Sequence, residues 1–366
     1  MTAGGKRLLP SPPAEGVTRK AIAGGRISEA EALALFESGD LIQAGRAAAA
    51  LRQRRAPAGR VTFVIDRNIN YTNYCITGCD FCAFHRRLGS PEGFLLSRRE
   101  IFDKIEETIA LGGTGIMMQG GLHPDLDIEY FCDLFHAIKQ NYDIYIHSLS
   151  PPEIYHIAKV SRIPVEEALL HLKQAGLDSL PGGGAEILVD AVRRRVSPRK
   201  IGSSVWLEVM RAAHLAGLKG TATMMFGGVE TYADRIEHLR RIRELQDETG
   251  GFTAFIPWTF QDARTRLRGQ ASSSGIDYLM TVAVSRIYLD NIANVQASWV
   301  TQGLKVAQIS LAFGANDLGS TMIEENVVAA AGVSYHAGKE ELVHAIKAAG
   351  LQPVQRDNAY NFVDFY

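Results

Sequence analysis

Residues 97–121 read SRREIFDKIEETIALGGTGIMMQGG. Ser97 and Glu100 have the spacing of a capping box, in which each side chain satisfies the other residue's backbone N–H. Ile101, Ile105, Ile109 and Leu111 then recur at helical spacing and predict a helix with one apolar face. TGIMM predicts a short buried strand, and QGG a glycine-rich exit from it. Upstream, VTFVID at 61–66 is a β-branched run and reads as another buried strand. Strand, helix and strand in that order predict parallel strands joined by a right-handed crossover.

The same rhythm continues along the chain. Strands are predicted at DIYIHSLS, LDSLPGGG, TATMMFGG, FTAFIPWTF and NVQASWV, with helical stretches between them and a last short strand at NDLGS. Seven or eight such units imply a closed (β/α) TIM-like barrel rather than an open doubly wound sheet. Ser28 and Glu31 cap a helix before the barrel, residues 41–59 predict a second, and the Pro- and Gly-rich residues 1–16 read as frayed. KEELVHAIKAAG predicts a final helix. The expected organisation is residues 1–60 as tail and helical preamble, 61–320 as barrel, and 321–366 as a C-terminal helical extension packed on the barrel.

Composition narrows the function classes. Of 366 residues, 46% are hydrophobic and 22% charged, with a formal net charge of -1. That is an ordinary globular balance with no general attraction to nucleic acid or anionic lipid. No apolar run approaches the roughly 18 residues of a membrane span, and a cytoplasmic protein is expected. Four cysteines are too few for a disulfide framework at this length. Cys132 stands alone in a helical stretch and reads as a small buried hydrophobe.

The other three cysteines crowd into NYTNYCITGCDFCAFH at 70–85, as Cys75, Cys79 and Cys82. Iron–sulfur clusters are held by such thiolates, and three of them leave one iron of a cubane without a protein ligand. An open position on a metal is where substrate or cofactor enters. The rival reading is a Cys3His zinc clip completed by His85, and with it a zinc-stabilised binding protein on a barrel scaffold. Six strand exits rich in Gly, Pro or polar residues fall at the same end of successive strands. In a barrel they meet on the rim where active sites form.

The CxxxCxxC spacing, with Phe81 before the third cysteine and a strand before the loop, resembles the radical S-adenosylmethionine (SAM) enzymes. The resemblance implies that Cys75, Cys79 and Cys82 bind a 4Fe-4S cluster whose fourth iron chelates S-adenosyl-L-methionine. It implies cofactor contacts at Gln119, Gly120 and Gly121 after the second strand, where family members often have Gly-Gly-Glu and this chain has no Glu. It implies further contacts at Gly227, Gly228 and Glu230 after the fifth. Glu186, or one of Arg193, Arg194 and Arg195, is a candidate contact for the cofactor or a substrate carboxylate. The stretch RNINYTNYC…CAFHR resembles a narrower group acting in the futalosine route to menaquinone or in deazaflavin cofactor synthesis. HSLSPPEI (147–154), FIPWTFQ (255–261) and QASWVTQGLK (296–305) resemble its dehypoxanthine futalosine cyclases. That resemblance implies hydrogen abstraction at ribose C4′, addition of the carbon radical to the benzoate ring, and loss of an electron and a proton. Candidates for the base or a substrate contact are His147, Glu153, Glu186 and Glu230. Trp258, Phe260 and Trp299 either wall the substrate or pack the core. The chemistry also needs a low-potential electron donor such as a flavodoxin or ferredoxin. The aminofutalosine and deazaflavin relatives stand as alternatives within the group.

Overall fold

The computed structural model describes residues 14–56, 59–333 and 335–366. Seven parallel strands form one sheet in chain order: β2 (Asp66–Ile69), β3 (Gly115–Met118), β4 (Tyr145–Ser148), β5 (Ser179–Leu180), β6 (Lys219–Phe226), β7 (Phe252–Thr259) and β8 (Asn294–Val295). A strand β1 (Arg60–Val64) runs almost directly into β2 and pairs in parallel with β9 (Asp317–Ser320) and β10 (Gln352–Arg356). A parallel bridge from Gln296 to Asp317 joins β8 to β9. The parallel strands therefore curl round on themselves, as a barrel requires.

Helices cross over on the outside. The helix Arg98–Ala110 connects β2 to β3 and carries the capping box at Ser97 and Glu100. Its buried face is Ile101, Ile105 and Thr108; Ile109 and Leu111 are exposed. Helices at Ile128–Asn141, Pro151–Ser161, Val165–Ala175, Ser203–Leu215 and Tyr232–Thr249 continue the pattern. The crossover helix Gly275–Tyr288 is buried from Tyr278 through Tyr288 on every side. A helix apolar all round needs a second cover. The N-terminal helices Glu29–Ser38 and Leu41–Arg55 supply it by packing on its outer face. At Gly45 even a Cβ would sit 2.6 Å from the Phe313 ring, so that helix docks closely.

Two local features differ from the sequence reading. Residues 1–13 lie outside the described residues, but residues 14–16 open a helix, Ala14–Ile22, whose Val17, Thr18 and Ala21 are buried. The C-terminal extension has its helix, Lys339–Ala348, and also two strands, β10 and the antiparallel edge strand β11 (Phe362–Phe365). The QPVQR of β10 lacks apolar alternation because it is paired to β1 and buried along Pro353–Arg356. Between them, Asn358 and Tyr360 enter the barrel beside the starts of β2 and β3, where a Cβ at Gly115 would lie 2.2 Å from Asn358 Oδ1. The tail thus closes the floor.

Successive strand residues point to opposite faces. Ile116, Met118, Ile146 and Leu180 are fully buried hydrophobic positions. Their alternates Asn68, Met117, His147, Ser179, Thr221 and Thr223 line the interior. A sealed barrel of this type is filled by branched aliphatics. This one instead mixes apolar side chains such as Met117, Ile256, Trp258 and Trp299 with amides, hydroxyls and an imidazole, around a cavity of about 330 Å³.

Candidate active site

The cysteine loop follows β2 and is shaped by the polar residues ahead of it. Asn73 accepts from Phe94 N at 2.9 Å and donates to Glu92 O at 3.0 Å. Thr72 Oγ1 donates to Phe94 O and accepts from Tyr74 N. These side chains reinforce a segment whose own pairing is limited to isolated bridges, Thr72 with Leu95 and Tyr74 with Arg86. Asp80 N donates to Val196 O at 2.9 Å, and Arg199 Nε to Thr77 O at 2.7 Å, which pins the far side of the loop.

Thr77 Oγ1 lies 3.0 Å from Cys75 Sγ and 3.7 Å from Cys79 Sγ, so these two thiols flank one hydroxyl. Cys79 is buried, while Cys75 and Cys82 are half-buried. Burial pushes the Cys79 and Cys82 thiols up, and the Lys200 ammonium pulls Cys79 back toward the thiolate. His85 uses Nδ1 on Cys82 O at 2.8 Å, and its Nε2 shares the space over Gly78 with the Arg199 guanidinium. A cation there disfavours a zinc ion on that imidazole. A cubane makes different demands, since each thiolate meets its own iron. The donor set therefore suits a 4Fe-4S cluster better than Cys3His zinc.

Two bridges run from this loop into the barrel. On one side, Tyr71 donates to Glu153 Oε1 at 2.8 Å, and the same oxygen accepts from Gly120 N at 2.9 Å. The other Glu153 oxygen accepts from Ser150 N at 2.8 Å and from the Ser150 hydroxyl. Glu153 is the N3 residue of the capping box of Pro151–Ser161 and does not line the cavity. Its four donors occupy the lone pairs of both oxygens, an arrangement that suits a structural anchor. It fixes the Gln119–Gly121 turn instead. A Cβ on Gly120 would lie 2.6 Å from the Tyr71 ring, and one on Gly121 only 2.1 Å from Tyr74 O. The glycines are there because the cysteine loop leaves no room for more.

On the other side, Lys200 Nζ lies 5.1 Å from the Phe81 ring centroid and 2.8 Å from Glu186 Oε1. Glu186 lines the cavity, and its φ of 43° is a left-handed conformation that costs a non-glycine residue energy. Arg193 holds it there, donating to Gly184 O at 3.1 Å, to Ala185 O at 2.5 Å and to Glu186 Oε2 at 3.3 Å. Arg193 also donates to Ile201 O, so its guanidinium is committed to the fold. Arg194 and Arg195 are exposed.

Gly227, Gly228 and Glu230 form a separate turn. Glu230 accepts from Gly227 N at 2.7 Å and from Gly228 N at 3.0 Å, and pairs with Arg235 at 2.9 Å. Its carboxylate caps its own turn. A narrow, mostly apolar cleft beside it is lined by Ile187, Met225, Gly228 and Phe260 and ends at Glu186. Phe260 faces that cleft rather than the main cavity. Trp258 and Trp299 line the main cavity, with Trp299 Nε1 anchored on Ser320 O at 3.0 Å.

His147 also lines the cavity, with Nδ1 2.6 Å from Ser179 Oγ. Burial and the positive Arg356 push its pKa down to about 3, so the imidazole is neutral. Lys200 was missed in the sequence. Its signal lay in the basic run SPRK, which carries no spacing that points to a cysteine loop 120 residues earlier.

A family model described as the radical SAM superfamily matches residues 69–242, and one described as the CofH/MqnC C-terminal region matches 249–366. Cyclic dehypoxanthine futalosine synthase of Halalkalibacterium halodurans is 47% identical over 95% of this chain and 95% of its own. The 5-amino-6-(D-ribitylamino)uracil–L-tyrosine 4-hydroxyphenyl transferase of Archaeoglobus fulgidus is 44% identical over 85% of this chain and 91% of its own. Among solved structures, methylornithine synthase superposes with a TM-score of 0.72 at 18% identity, covering 92% of this chain and 97% of that one. That likeness is one of fold.

Proposed function

The chain belongs to the radical SAM superfamily, in the group that carries the CofH/MqnC C-terminal region, and we propose that it is a dehypoxanthine futalosine cyclase. It converts dehypoxanthine futalosine to the cyclic product by hydrogen abstraction at ribose C4′ and closure onto the benzoate ring, in menaquinone biosynthesis. The observation that carries this reading is the 47% identity to a cyclic dehypoxanthine futalosine synthase across 95% of both chains.

Cys75, Cys79 and Cys82 are the residues that hold the 4Fe-4S cluster. When bound, the reduced cluster and S-adenosylmethionine supply a 5′-deoxyadenosyl radical. The protein's own task is confinement and aim. Gln119 lines the cavity, and Gly120 and Gly121 let the exit of β3 pack directly on the cysteine loop. Gly228, in the turn after β6, and Phe260 stand beside Glu186. The floor made by Asn358 and Tyr360 keeps bulk water from the far end of the cavity. Holding the reacting carbon and the ring together converts cyclisation into a near-attack event. His147 and Glu186 are the two base or substrate-contact candidates that remain on the cavity wall.

Among the described residues no helix is long and apolar enough to cross a membrane. We place the enzyme in the reducing cytoplasm, where thiolates and a low-potential donor coexist. Exposed Arg87, Arg199 and Arg266 around the cysteine loop suit an acidic flavodoxin or ferredoxin. The reading is tested by anaerobic incubation of reduced enzyme with S-adenosylmethionine and each candidate substrate. Formation of 5′-deoxyadenosine with dehypoxanthine futalosine supports it. Formation only with tyrosine and the ribitylaminouracil transfers the assignment to the transferase.

A further inference from the structure

Glu325 is a carboxylate that the chemistry above does not use. It lines the main cavity beside Asn68 of β2. Its Oε1 accepts from Val327 N at 2.7 Å and from Val328 N at 2.9 Å. Among the described residues its Oε2 accepts only from Asn68 Nδ2, at 3.3 Å. Among the described residues no lysine or arginine pairs with it; Lys104 and Arg67 both go to its neighbour Glu324. Burial pushes the Glu325 carboxyl up, as expected for a charge without a counter-ion.

Asn68 stands beside it on β2, is 3% exposed, and also lines the cavity. Its Oδ1 is buried without a hydrogen-bond partner among the described residues. Two neighbouring acceptors thus meet the cavity with one weak donor between them. Buried acceptors left unpaired are costly, and the ligand that relieves them must bring donors. A benzoate cannot, since it brings only acceptors and a like charge. Two adjacent O–H donors can, each taking one acceptor.

We infer that Glu325 and Asn68 form the seat for the vicinal ribose hydroxyls of the substrate. The inference rests on the cyclase reading, which supplies a ribose bearing the reacting C4′. Seating the hydroxyls at this wall fixes the sugar's rotation and so aims C4′. The Val327 and Val328 N–H donors make the seat rigid, because Oε1 is committed before the ligand arrives.

S-adenosylmethionine also carries a ribose, so the test separates the two sugars. Isothermal calorimetry on the anaerobically reconstituted protein, without reductant, measures dehypoxanthine futalosine, its 2′,3′-dideoxy analogue and S-adenosylmethionine. Wild type is expected to bind the dideoxy analogue roughly 10- to 100-fold more weakly than the substrate, the weight of a charge-assisted hydrogen bond. Glu325→Gln turns an acceptor into a donor facing Asn68 Nδ2. It is expected to weaken substrate by a similar factor, leave the dideoxy analogue unchanged, and bind S-adenosylmethionine as before. Equal binding of substrate and dideoxy analogue by wild type overturns the inference, whether or not the variant folds. So does a folded Glu325→Gln that binds substrate normally, or one that loses S-adenosylmethionine instead. If wild type binds no dehypoxanthine futalosine at all, the cyclase reading falls and takes the inference with it.

Discussion

Gly121→Ala tests how tightly the glycine-rich exit and the cysteine loop are locked together. The added Cβ would lie 2.1 Å from Tyr74 O, 2.7 Å from Tyr74 C and 2.9 Å from Cys75 Cβ. Two of these are backbone atoms, so no side chain can swing aside. To reach even 3.0 Å, the loop and the turn must part by about 0.9 Å. Metal-ligand distances hold to about 0.2 Å. A displacement several times larger, delivered at Cys75 itself, should prevent a full cluster from assembling. Overpacking of this kind costs roughly 1–3 kcal/mol, or a few degrees of melting temperature for a domain this size. The assay is iron per chain after anaerobic reconstitution, paired with a thermal melt of the cluster-free protein. Iron should fall well below about four per chain. Gly16→Ala is the control, since a Cβ there meets nothing within 4 Å among the described residues and a helical alanine is favoured. A Gly121→Ala protein that takes up full iron and melts like wild type would refute the reasoning.

Further outcomes follow from the same geometry. Alanine at Cys75, Cys79 or Cys82 should abolish cluster uptake while circular dichroism stays native, whereas Cys132→Ala should leave iron content unchanged. Glu153→Gln should lower stability by roughly 1–3 kcal/mol, because a buried acceptor of four hydrogen bonds loses half its capacity; an unchanged melt would show the carboxylate to be dispensable. Burial lowers the pKa of His147 and His238 to about 3 and of His214 to about 4. The folded state binds fewer protons than the unfolded chain below about pH 6.5, so stability should fall as pH drops from there toward 4, by about 1 kcal/mol per pH unit per histidine. Urea titrations at pH 7, 6 and 5 read this directly, and a flat midpoint would contradict it.

Much of this was legible in the sequence. The capping boxes at Ser28 and Ser97 and the alternation of short apolar runs with amphipathic helices are local signals, and local signals place elements. The closure of the ring was not legible in the same way. It depends on β1 pairing with β9 and β10, residues about 250 and 290 positions away, and QPVQR carries no pattern of its own. The cysteines announced their chemistry by spacing. The roles of the carboxylates did not follow from spacing, because Glu153, Glu186, Glu230 and Glu325 differ only in partners that come from elsewhere in the chain. Glu153 and Glu230 proved to be committed to backbone N–H groups, and Lys200 joined the cysteine loop to Glu186 from a position that no motif marks. The polar lining was visible in principle: the alternating threonines of TATMM put hydroxyls on the inward face of a strand whose other face is core.

The most direct test of the radical-cyclase account is isotope transfer. Dehypoxanthine futalosine carrying deuterium at ribose C4′ is turned over anaerobically with reduced enzyme and S-adenosylmethionine, and the 5′-deoxyadenosine is examined by mass spectrometry. The account predicts one deuterium in the 5′-deoxyadenosine, matched mole for mole by cyclic product. Unlabelled 5′-deoxyadenosine formed alongside cyclic product would contradict abstraction at that carbon.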